Sequence, residues 1–202
     1  MHIDRRLIAA IFMLSLPLLT GNAYGDSRYQ WDLVRLSLTG GVTLTINGGG
    51  IASALAEDGS MITLTGSGTF TVGDEGVTGG GTWKTVAADG VTVTGMGNFL
   101  VTRLIRFVVA PGLLPAGAID TIGTPANAHS GLVHLRIDYD DGSKGILIVS
   151  CHQPVGSPST LFEGITASKG FVDYWNHLEP VGTPATANAG RTLFHLLSAE
   201  RN

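Results

Sequence analysis

The chain has 202 residues and a net charge of −4, with charged residues at 14%, well below the usual quarter, and 29 glycines. That length suits one domain with a substantial core. No Lys/Arg cluster lies beyond the extreme N-terminus, which excludes the electrostatic footprint of a nucleic-acid binder.

Arg5 and Arg6 precede an apolar run over residues 7–19, and Ala23 and Gly25 stand at −3 and −1 if cleavage falls before Asp26. Cleavage after Ala23 is the close alternative. This pattern predicts a signal peptide over 1–25 and a secreted or periplasmic protein. An anchoring helix fits less well, because the run is short for a bilayer and contains Pro17. No later stretch is long enough for a membrane span once the signal peptide is removed.

Residues 29–38 and 42–46 read as the first two strands, and 51–56 as a short segment of open type. Asp58-Gly59 is a hairpin signal. Over 62–72, Ile62, Leu64, Gly66, Gly68, Phe70 and Val72 alternate with Thr and Ser, a period of two that predicts one long strand with one apolar face. Turns at 73–76 and at Asp89-Gly90 lead into strands over 77–86 and 91–109. Turns at this short spacing argue for an antiparallel meander.

One phrase recurs along this stretch: Gly66-Ser67-Gly68-Thr69-Phe70, Gly79-Gly80-Gly81-Thr82-Trp83 and Gly95-Met96-Gly97-Asn98-Phe99. Each places two bare positions and one ring on the same strand face. Such glycines let a sheet bend sharply, with a neighbouring ring covering the exposed backbone. Over residues 66–107, these phrases in an exported meander resemble the small barrels of dirigent proteins and allene oxide cyclases. The resemblance implies a barrel scaffold, and no functional residue of those families falls on a position of this chain.

From 110 to 128 the texture changes to Pro, Gly and small apolar residues, predicting a long connection that is either a lid over one barrel mouth or a plain crossover. A hairpin follows, with strands 132–139 and 144–151 turned at Asp140-Asp141-Gly142. A three-residue loop with Gly142 left-handed pairs Asp138 with Lys144 and Arg136 with Ile146. It also gathers Val133, Leu135, Ile137, Tyr139, Leu147, Val149 and Cys151 on one apolar face. Cys151 is the lone cysteine, so no internal disulfide forms; it reads as a buried strand thiol, with a nucleophile or a bridge to a second chain as the alternatives. A strand is expected over 160–166, a strand or helical turn over 171–177, a linker over 179–190, and a short amphipathic helix over 192–201.

The domain reading is thus a signal peptide over 1–25, a β domain over 26–178, and a linker with an amphipathic tail over 179–202. The expected fold is all-β, an antiparallel up-and-down β-barrel of about eight strands, with a β-sandwich as runner-up. A solenoid ranks below these because the phrases are unevenly spaced, and an outer-membrane barrel because aromatic girdles are not evident.

The candidate ligand-binding residues are His134, Arg136 and Asp138, which alternate along one strand, together with Trp83 and Phe99. A His beside an Arg and a carboxylate suits a general base or an anion site; the plainer reading is a solvent-facing strand with cross-strand charge pairs. His152 and Glu163 are candidates to join that group at one mouth. Phe70, Trp83 and Phe99 either line a cavity or fill the barrel. No metal motif, nucleophile elbow, phosphate cradle or cofactor motif is present, so no metal or cofactor is expected. Three functions remain open: a binding protein for a small, mostly apolar ligand, a surface protein without a pocket, and an isomerase- or cyclase-type enzyme using His134.

Overall fold

The computed structural model describes residues 27–73, 76–180 and 189–198; the expected signal peptide and most of the expected linker lie outside them. The strands, in chain order, are β1 (Arg28–Thr39), β2 (Thr43–Gly48), β3 (Ile51–Leu55), β4 (Met61–Thr65), β5 (Ser67–Thr71), β6 (Gly80–Val86) and β7 (Val93–Ala110). They continue with β8 (Ile119–Asp120), β9 (Ala128–Tyr139), β10 (Lys144–Cys151), β11 (Gly164–Lys169), β12 (Val172–Tyr174), β13 (Asn176–His177) and β14 (Arg191–Ser198). A single 3-10 turn, Pro125–Asn127, is the one helical element among the described residues. No helix among them is long and apolar enough to cross a membrane.

All fourteen strands belong to one sheet, antiparallel except where β8 runs parallel to β2. Six of them close a ring, β1–β5–β6–β7–β9–β14 and back to β1. Two arms leave that ring, β4–β3 from β6 and β10–β11–β12 from β9. They meet where β13, which follows β12 in the chain, pairs with β3. The order departs from a simple meander because the C-terminal strand β14 inserts between β1 and β9.

Residues 191–198 are therefore a strand, not the amphipathic helix expected over 192–201. The physical reason is burial on both faces: Thr192 and Phe194 on one side and Leu193 and His195 on the other are all buried. A strand covered on both faces has a continuous apolar run, which periodicity cannot tell from a helix. The single strand expected over 62–72 is also two. Gly66 has φ +155°, and the chain breaks there so that β4 pairs with β3 while β5 pairs with β1. The 139–144 hairpin has the expected register, with Asp138 opposite Lys144, Arg136 opposite Ile146 and Gly142 at φ +86°.

The glycine phrases serve close approach. A Cβ on Gly68 would lie 2.2 Å from the Thr78 carbonyl and 2.8 Å from the Trp31 indole nitrogen, so β5 packs on its neighbour only because the position is bare. Rings pack against one another in the core. Tyr29, Phe70, Phe107 and Phe194 form one cluster, with Phe107 centred 4.7 Å from Tyr29, 4.8 Å from Phe70 and 5.2 Å from Phe194. Trp83 meets Tyr139 edge-on at 5.7 Å. Burying each such ring stabilises the fold by roughly 1.5–3 kcal/mol, and pairing adds about 0.5–1.5 kcal/mol.

Candidate functional site

Strand alternation gives β1 two distinct faces. Tyr29, Trp31 and Leu33 enter the aromatic core. Val34 and Leu36 help to wall a pocket of about 440 Å³ with Leu44 and Ile46 of β2, Leu193 of β14, and Leu114 and Pro115 of the 111–127 connection. The connection thus covers a pocket beside β1. Its floor is polar and comes from three places: the end of β10 (Cys151, His152, Gln153), the residue before β11 (Glu163) and the start of β14 (Arg191, Thr192). A second, more polar hollow of about 490 Å³ shares His152, Glu163 and Arg191 with the first and adds Phe162, His177 and Glu179.

Glu163 clamps the strand ends together. Its Oε2 accepts the His152 N–H at 2.5 Å and its Oε1 the Thr192 N–H at 2.8 Å. Thr192 in turn donates its hydroxyl to the Ser150 carbonyl at 2.6 Å, and Ser150 donates to the Phe162 carbonyl at 2.6 Å. Burial raises the Glu163 carboxyl to about 8, against the lowering effect of the two N–H donors and Arg191. The acid form therefore predominates at neutral pH. Burial also pushes the Cys151 thiol well above its ordinary value.

Two residues that line the pocket carry buried polar atoms without partners. Gln153 is 2% exposed, and both its amide nitrogen and its amide oxygen are without a hydrogen bond. The Nε of Arg191 is likewise buried and unpartnered. An unsatisfied buried amide costs about 1–3 kcal/mol, and these three atoms, sealed from solvent, are a local cost of the fold where the strand ends meet.

None of His134, Arg136, Asp138, Trp83 and Phe99 lines either pocket. His134, Arg136 and Asp138 do share one face of β9, opposite Arg106, Arg103 and Leu100 of β7. Asp138 pairs with Lys144 at 3.6 Å, an ion pair that is largely solvent-exposed. Partial burial, and then Arg106, lower the affinity of His134 for a proton. Trp83 donates its N–H to Asp140 at 3.0 Å and carries the Lys169 ammonium 4.1 Å above its ring. Phe99 is buried against Tyr139, with centroids 6.4 Å apart. His152 and Glu163 do meet, through the backbone N–H, but at the pocket and not beside His134. Sequence reasoning missed Gln153 and Arg191; the available signal was a lone cation immediately before the apolar run of 192–197. Among the described residues, no group of three or more His, Cys, Asp or Glu could hold a metal ion.

No protein-family model matches the chain, and neither a curated protein nor a solved structure matches it.

Proposed function

We propose that the protein is an exported small β-barrel that binds a small, mostly apolar ligand in the pocket between β1, β2, β14 and the 111–127 connection. The observation that carries this reading is the combination of aliphatic walls with a polar end formed by His152, Gln153, Glu163 and Arg191. Binding pockets commonly have this make-up: apolar lining, a few polar groups that fix orientation, and a volume within about 300–1,000 Å³. The ring of six strands supports the barrel description. The Arg5-Arg6 start with its apolar run and small residues supports export to the periplasm or beyond.

The test is native mass spectrometry of the exported protein, with mass analysis of anything released on denaturation, alongside titration with the apolar fluorophore N-phenyl-1-naphthylamine. A bound small molecule, or probe binding that Leu114→Trp abolishes, supports the reading. A clean mass together with no probe binding would sink it and bring forward the pocketless surface protein.

A further inference from the structure

Resting on that reading, we infer that the ligand is an amphipathic monocarboxylate, its head held by Arg191 where the two hollows join and its alkyl part lying among Leu36, Leu44, Leu114 and Leu193. Arg191 lines both hollows. No hydrogen bond or ion pair joins its guanidinium to another described residue, and its Nε is sealed from solvent. A guanidinium stays charged at any working pH and presents a rigid fork of donors that matches a carboxylate two-for-two. A half-buried fork with no hydrogen-bonded acceptor among the described residues is therefore suited to an anion.

The neighbouring carboxyls do not fill that role. Both oxygens of Glu163 are taken by backbone N–H groups, and burial keeps the group protonated near neutrality. Glu179 is engaged with His177 at 3.0 Å. A cation whose charge is partly offset by the nearby Glu163 carboxyl favours a head with a single negative charge over a dianionic phosphate. The hydrophobic walls on the other side of the junction exclude a ligand that is polar throughout.

Isothermal titration of the intact exported chain with dodecanoate and with dodecan-1-ol separates the possibilities. The expected result is that dodecanoate binds about tenfold or more tighter than the alcohol. Arg191→Met should remove that preference by weakening dodecanoate far more than the alcohol, while Arg191→Lys, which keeps the charge and loses the fork, should retain part of it. Circular dichroism shows whether each variant folds, and the wild-type comparison needs no variant. Equal affinity of the two probes for the wild type overturns the head-group assignment and leaves the apolar pocket standing. Binding of neither probe overturns both this inference and the reading on which it rests.

Discussion

Asp120 Oδ2 lies 2.5 Å from His195 Nε2, and solvent reaches neither carboxylate nor imidazole appreciably. The other Asp120 oxygen accepts the N–H groups of Ile122 and Gly123 at 2.9 and 3.1 Å. One carboxylate thus shapes its own turn and fastens the 111–127 connection to β14. Pairing of β8 with β2 holds the same connection from the other side. Because Leu114 and Pro115 belong to that connection, the wall of the pocket depends on this anchor.

Asp120→Ala should therefore destabilise the protein by about 3 kcal/mol or more, the usual cost of removing one partner from a buried pair. Hydrogen exchange should quicken locally over residues 113–123, with the aromatic core still protected. Uniform protection across that segment in the variant would show that the anchor does not hold the connection.

Gly68 tests the close approach of β5. In Gly68→Ala the methyl would meet the Thr78 carbonyl at 2.2 Å and the Gly79 Cα at 2.7 Å, both backbone atoms that cannot swing away. The expected loss is about 3 kcal/mol or more in urea unfolding, at or beyond the upper end for overpacking. Gly48→Ala is the control, since its nearest neighbour would be an Ile122 side-chain carbon at 4.0 Å; it should be nearly neutral. Equal stability of the two variants would contradict the account of the glycine phrases.

How far these features were readable from sequence depends on the range of the interactions behind them. The 139–144 hairpin was legible because its turn chemistry and its apolar face agree on one register, and Val133, Leu135, Ile137, Leu147 and Val149 are all fully buried. The break at Gly66 was not, because Ile62 to Val72 keep one alternation through a point where the pairing partner changes from β3 to β1. For β14 the missing information was its neighbours. Insertion between β1 and β9 covers both of its faces, and local sequence carries no record of that. The site inherits the same difficulty. Gln153, Glu163 and Arg191 come from the ends of three separate segments, and only the placement of β14 brings Arg191 to the other two.

Cys151 should be nearly inert in the folded protein. It is 1% exposed, and burial, the largest influence, holds its thiol well above its ordinary value, so little thiolate is present at neutral pH. Iodoacetamide at pH 8 should label it orders of magnitude more slowly than in urea, as read by intact mass. Comparable labelling rates in the two conditions would mean that the β10 end opens freely to solvent.

The stability of the protein should carry a pH signature from Glu163. Its carboxyl ionises at about 8 in the folded chain against an ordinary 4.5. A raised acid works against the fold wherever the unfolded chain has released a proton that the folded chain keeps. The contribution of Glu163 to stability is thus greatest below about pH 4.5, falls as pH rises from there to 8, and changes little above. The full loss is on the order of 5 kcal/mol. Asp32, raised by burial to about 6, adds a smaller loss in the same direction between about pH 4 and 6. Glu163→Gln removes the titration but places an amide where two N–H donors need acceptors, so it should be destabilised at pH 5. The stability difference between variant and wild type should then shift in favour of the variant as pH rises from 5 to 8. Urea unfolding at several pH values measures that difference directly. A difference that stays constant across the range would mean that Glu163 titrates near its ordinary value and is ionised in the folded protein at neutral pH.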